Sequence, residues 1–380
     1  GSKVVGEDNI TYYTSNGNFI LKFSDKGVGL DGEQFKVTGV DRDSYTVLED
    51  SSGVSIRTES LIDGENKIEV SVVDKLGNSF STSAIVYMHR EKPVISGNTH
   101  GEMYVKDKNS YISGDVTFTL SGYDNYKVKK VELVKDGKVL SDIKNGSFVV
   151  SESGKYSVKV TDIVGWVSDY TLEELFKDCT SNIVLDIEKP EFKSKTFTGD
   201  KVTVGDTEYY TSNGELELNF KDSLCGIDRG SWSVKGISKE TYRVSEDGNS
   251  LIVSTKGIRD GSIEFTVSVS DMLGHSVEKE FSMFLHRDFP EINGRSHTDV
   301  LNLDGKSYTT KNIEVSLSGY DSYKVKSLEL LKNGSVVSKI ENGVFSIDTT
   351  GSYAIRVTDI INKTKDVKLG ELFSDISSDI

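Results

Sequence analysis

Apolar side chains alternate with polar ones in short runs along most of the chain. Phe19, Leu21 and Phe23 alternate with Ile20 and Lys22, and Val116, Phe118 and Leu120 do so further on. A period of two, rich in aromatic and β-branched residues, predicts strands. Further strands are expected over Phe35–Val40, Ser44–Leu48, Val54–Thr58, Lys67–Val73 and Ser79–Met88, and over Val131–Val134 and Lys155–Val160. Gly, Asp, Asn and Ser fill the breaks, as turns require. Asp136-Gly137 and Asn333-Gly334, each between apolar runs, predict tight hairpins, because both residues tolerate positive φ. Helix is nearly absent. Thr171-Leu-Glu-Glu174 has capping-box spacing and predicts a turn or two. Short strands at roughly ten-residue spacing predict an all-β sandwich.

The chain is also a tandem duplication. Ser121-Gly-Tyr-Asp-Asn-Tyr-Lys-Val-Lys129 returns as Ser318-Gly-Tyr-Asp-Ser-Tyr-Lys-Val-Lys326, and at that offset Tyr12–Ile183 aligns with Tyr209–Ile380 without a gap. The three prolines, Pro93, Pro190 and Pro290, each follow a strand-like run. Proline fixes φ, withdraws a ladder donor and favours extended structure before it, which suits a short stiff junction. Four domains in the order A-B-A′-B′ are therefore expected: 1–91, 92–188, 189–288 and 289–380. End to end, strands of usual length predict a rod well over about 100 Å. B′ stops at Ile380, where B continues through Val184-Leu-Asp-Ile187, so B′ is expected to lack part of its closing strand.

Composition narrows the function. The net charge is −15 and the pI about 4.9, which opposes nucleic acid and anionic membrane. No apolar run approaches a membrane span. Gly1-Ser2 reads as a remnant of cloning, so the chain is expected to be a fragment of something longer. The two cysteines lack repeat partners: Cys179 aligns with Ile376 and Cys225 with Val28. Each is expected to act as a small apolar residue.

Several motifs resemble the bacterial immunoglobulin-like repeats of large Gram-positive surface proteins. They are Asp124-Asn-Tyr-Lys-Val-Lys-Lys-Val-Glu-Leu133, Tyr156-Ser-Val-Lys-Val-Thr-Asp162 with Gly165, Val70-Ser-Val-Val-Asp74 with Gly77-Asn78, and Val267-Ser-Val-Ser-Asp271 with Gly274-His275. Asn362 departs from the pattern where B has Gly165, and a different turn is expected there. The resemblance implies four immunoglobulin-like β-sandwiches in a non-enzymatic stalk or adhesin, outside the cell and attached to the wall by other parts. It also implies protein partners at the surface, with a host protein such as immunoglobulin as one candidate.

Candidate chemistry is sparse. The repeated loop offers Tyr123, Asp124, Tyr126 and Lys127, and again Tyr320, Asp321, Tyr323 and Lys324, as a binding surface; tyrosine gives contact area at small entropic cost. The competing reading makes Asp124 a cap of its own turn. Trp166 and Tyr170 align with Lys363 and Val367, so the fold does not require them, and they could form an apolar platform for glycan or protein. Trp232 aligns with Phe35 and is expected in the core. Asp25-x-x-x-Gly-x-Asp31, repeated as Asp222 to Asp228, has oxygens a calcium ion would use, but aspartate in turns usually bonds its own backbone. The same holds for Asp74, Asp162, Asp271 and Asp359. His89 and His100, repeated as His286 and His297, flank junction prolines without a zinc motif. A Lys–Asn isopeptide bond fits poorly, since Lys22 becomes Asn219 and Asn78 becomes His275. No nucleophile, metalloprotease or phosphate-loop motif occurs. No catalytic residue, metal ligand or cofactor is assigned.

Overall fold

A computed structural model of the protein describes residues 1–122, 127–319 and 324–380. These form two compact units, Gly1–Ile187 and Glu188–Ile380. The first unit begins with β1 (Lys3–Val5), β2 (Thr11–Tyr13), β3 (Asn18–Lys22), β4 (Lys36–Thr38), β5 (Tyr45–Val47), β6 (Gly53–Arg57), β7 (Gly64–Val73) and β8 (Ser79–Met88). One sheet has the order β1-β2-β8-β7-β4 and the other β3-β6-β5. The β2–β8 pair is parallel and the rest are antiparallel. Four strands closed by a parallel early strand on one face, with three on the other, is the immunoglobulin-type sandwich arrangement.

The unit continues with β9 (Ser96–His100), β10 (Met103–Lys106), β11 (Asn109–Ile112), β12 (Val116–Ser121), β13 (Val128–Lys135), β14 (Lys138–Asp142), β15 (Ser147–Val150), β16 (Gly154–Asp162), β17 (Val167–Thr171) and β18 (Asn182–Leu185). The sheet β15-β12-β9 faces the sheet β10-β11-β18-β16-β13-β14. Here the closing strand is split. Both β17 and β18 pair with β16, on either side of an excursion that holds α1 (Leu172–Leu175). Glu174 accepts from the Thr171 N–H at 2.8 Å, completing the expected capping box. The excursion drives Phe176 into the core, 4.9 Å from Phe118, which itself stacks on Phe148 at 5.0 Å. A side chain on Gly97 would strike the Phe176 ring, and one on Gly294 would strike Phe373, so glycine is needed at both.

The predicted hairpins form: Asp136 and Gly137 have φ of 51° and 77°, and Asn333 and Gly334 of 52° and 83°. Tyr156 donates from its hydroxyl to the Glu152 carbonyl at 3.0 Å, and Tyr353 to Thr349 at 2.9 Å. This is the tyrosine corner of immunoglobulin-like sandwiches. Asn362 takes the left-handed conformation of Gly165, with φ of 66° against 88°, and both close the same turn onto an aspartate carbonyl. The expected difference is absent because asparagine tolerates that region.

Each unit contains two separate buried clusters. In the first, Val54, Ile56, Ile68 and Val70 centre one, and Ile112, Phe118, Val158 and Leu172 the other. In the second, Leu218, Phe220 and Val267 centre one, and Ile313, Val315, Ile355 and Leu369 the other. Trp232 packs on Phe220 at 5.5 Å and donates to the Gly248 carbonyl, within that third cluster. Pro93 and Pro290 are buried where the chain passes from one cluster to the next. In B′ the strand matching β18 shrinks to bridges at Asp379, which meets Lys306 and Ser352.

Candidate functional site at the seam within each unit

Strand β8 ends at Met88, and the seven residues from His89 to Ile95 lead to β9 at Ser96. His89 is tied by its N–H to the Tyr13 carbonyl, and its side chain is buried. Its Nε2 lies 3.0 Å from Oδ2 of Asp162, a side chain only 1% exposed in the other sandwich. A carboxylate oxygen can only accept, so Nε2 carries the proton. Oδ1 of Asp162 accepts from the Val164 and Trp166 amides at 3.1 and 2.7 Å. One carboxylate therefore caps the β16–β17 turn and receives the imidazole across the seam.

Arg90 builds the second fixture. Its Nε donates to Oδ1 of Asp63 at 2.8 Å, and Oδ2 accepts from the Arg90 and Glu91 amides. The guanidinium also donates to Asn16 Oδ1 and to the carbonyls of Thr58 and Leu61. Lys127, from the other sandwich, places Nζ 4.0 Å from Asp63 Oδ2.

The second unit repeats every element. His286 Nε2 lies 3.0 Å from Asp359 Oδ2, and Asp359 Oδ1 accepts from the Ile361 and Lys363 amides. Arg287 joins Asp260, Asn213 and the Thr255 and Ile258 carbonyls, while Lys324 reaches Asp260 at 3.1 Å. Burial alone would raise the Asp63 and Asp260 carboxyls. The arginine side chains and backbone amides outweigh it and hold both below the usual carboxylate range, Asp260 well below with Lys324 added.

Of the residues singled out in the sequence, Lys127 and Lys324 thus lie at the seams. Tyr123, Asp124, Tyr126, Tyr320, Asp321 and Tyr323 lie outside the described residues. Trp166 is half-buried with its ring 5.6 Å from His89. Tyr170 packs against the B core and donates to the Pro93 carbonyl at 3.0 Å. Asp63, Arg90 and their second copies escaped the sequence reading. The signal available was their exact duplication in a chain where arginine is scarce.

The remaining candidates resolve locally. Asp25 Oδ2 accepts from the Gly27 and Gly29 amides, Asp31 Oδ1 from Glu33, and Asp222 Oδ1 from Leu224 and Gly226. Each of these carboxylates caps its own turn with one oxygen. His297 bonds Ser316 Oγ at 2.8 Å. Burial pushes the Cys179 thiol up to about 12, which keeps it protonated.

The fold and seam define a class, tandem immunoglobulin-like sandwiches. No protein-family model matches the chain, and no curated protein matches it. Among solved structures, the D1–D4 ectodomain fragment of ICAM-5 is similar over 94% of this chain and 96% of its own, at 8% identity and a TM-score of 0.45. A tetra-tandem repeat from the extending region of a large adhesion protein covers 88% and 90%, at 15% identity and 0.32. A calcium-stabilised adhesin with which an Antarctic bacterium binds ice covers 96% and 95%, at 16% and 0.26. At such scores the fold assignment rests on the strand order given above. Among the described residues, no helix is long and apolar enough to cross a membrane.

Proposed function

We propose that the chain is a non-enzymatic segment of a cell-surface protein, a load-bearing stalk or adhesin of four immunoglobulin-like domains bounded at 1–91, 92–188, 189–288 and 289–380. The observation that carries this is the duplicated seam. A buried His–Asp bond joins neighbouring sandwiches in each unit, a half-buried Asp–Arg cluster braces the connecting residues and is reached by a lysine of the other sandwich, and both copies keep every partner. Such groups are costly to bury and stabilise only when fully paired. Their retention at a junction fits a part that must hold an angle under load.

Single-molecule pulling of the full chain tests the reading. Four unfolding steps are expected, each releasing a length of chain equivalent to one domain. Two steps would remove the four-domain division, and unfolding at forces no higher than those of ordinary non-mechanical domains would remove the load-bearing role.

A dedicated protein-binding module is the second reading, with immunoglobulin among the host partners considered. It draws on two outer strands that carry exposed apolar pairs, Val139–Leu140 on β14 and Val336–Val337 on the strand Ser335–Lys339. End strands of this kind invite strand addition. Passing serum or mucus over the immobilised chain checks it: a partner released by Leu140→Lys or Val337→Lys supports it, and an empty column counts against it. A glycan array comparing the parent with Trp166→Ala addresses the carbohydrate reading, which equal binding would end.

A further inference from the structure

Strand β9 is the outer strand of its sheet and pairs with β12 alone. The Leu120 N–H donates to the Gly146 carbonyl on the β15 side. Leu120 and Phe118 therefore turn their main-chain groups away from β9, and Thr119 turns its own toward it. Gly97 and Thr99 stand opposite Leu120 and Phe118, so their N–H and C=O groups point outward. Among the described residues, neither has a main-chain partner on that side. This edge is not open to bulk water. The α1 excursion rises beside it and encloses a cavity of about 520 Å³, floored by the buried Leu175 and Phe176.

The rim of the cleft is acidic: Glu173, Glu174 and Asp178 stand against Lys177. Two of these carboxylates are held in place. Glu173 Oε2 accepts from the Ser181 amide and hydroxyl at 2.7 and 2.6 Å, and Glu174 Oε2 from the Thr171 amide at 2.8 Å. We infer that the cleft takes an extended cationic peptide as a further strand, antiparallel to β9. Its apolar residues lie opposite Gly97 and Thr99, over the floor, each exchanging a pair of main-chain bonds. Lysine or arginine at the alternate positions meets the rim. Main-chain bonds supply the affinity, and charge the selectivity. A second copy of this edge would bring acidic rim against acidic rim across a two-fold axis, which opposes self-pairing. The site lies in the sheet opposite β14, so it stands whether or not the outer strands named above bind a partner. The second unit repeats the edge at Gly294 and Ser296, but Glu173 becomes Gly370 and Asn98 becomes Arg295. That copy should bind a cationic strand more weakly.

Amide hydrogen exchange on the full chain at low salt tests this, with the peptide Lys-Val-Lys-Val-Lys as probe. At saturating peptide the Gly97 and Thr99 amides are expected to exchange about tenfold more slowly, with a smaller effect at Gly294 and Ser296. The peptide Glu-Val-Glu-Val-Glu, and the lysine peptide N-methylated at both valines, are expected to protect neither pair. Asn98→Arg, which copies the second unit, is expected to weaken binding of the labelled lysine peptide about threefold by fluorescence anisotropy, the worth of one exposed charge pair. No protection by the lysine peptide, equal protection by either control, or unchanged affinity in Asn98→Arg would each overturn the proposal. Protection that grows with chain concentration in the absence of peptide would give the edge to a second copy and overturn it as well.

Discussion

Four aspartates sit at the same corner of their sandwiches, and they divide into two kinds. Asp74, Asp162, Asp271 and Asp359 each accept with Oδ1 from the amides two and four residues on. The second oxygen separates them. In the A-type sandwiches it stays local, bonded to Asn78 in one copy and His275 in the other. In the B-type sandwiches it crosses the seam to His89 or His286. One turn motif thus serves either as a self-contained cap or as half of an interdomain bond. What decides is whether a neighbour's imidazole is buried against it.

The largest test of that contrast compares Asp162→Ala with Asp74→Ala. The first removes the cap and the buried bond, so its sandwich should lose about 3 kcal/mol, from a hydrogen bond to a charged group plus a cap. The second should lose about 1 kcal/mol. Denaturant melts of the full chain measure both, and equal losses would erase the distinction. His89→Ala combined with Asp162→Ala should cost no more than Asp162→Ala alone within about 0.5 kcal/mol, if the pair acts as a unit.

Acid should act on the second fixture. The folded carboxyls of Asp63 and Asp260 titrate below their unfolded value of about 3.9, so their stabilisation is complete above that pH. It is lost as pH falls through the folded values. Protection of the Arg90 and Glu91 amides, referred to the intrinsic exchange rate at each pH, should therefore fall below about pH 4, and that of Arg287 and Asp288 only at lower pH, because Asp260 is held lower. The reverse order would contradict the role given to Lys324.

The two seams differ by Trp166, whose counterpart is Lys363. Trp166→Lys should weaken the first seam by about 0.5–1 kcal/mol, the worth of an aromatic contact beyond its burial. It should also leave the second unit unchanged by the same melts. The smallest effect, about 0.5 kcal/mol, is expected for Asn78→Ala, which leaves both amide bonds of the Asp74 cap in place.

Much of the architecture was legible beforehand. The strand positions, the Asp-Gly and Asn-Gly hairpins and the Thr171 capping box all appear where local chemistry put them, since period and turn preference act within a few residues. The turn at Asn362 misled only because glycine was taken as necessary there. The seam could not be read the same way. His89 and His286 were noticed as duplicated, yet their partners lie 73 residues further on, and Arg90 drew no notice at all.

The alternating pattern by itself determined an all-β sandwich, and the internal duplication its repetition, because burying one face of each strand leaves little choice of layer. Tertiary structure alone decided which duplicated polar residues meet. A lone aspartate looks the same in sequence whether its second oxygen serves its own turn or the next sandwich, and only packing that excludes water makes that difference count.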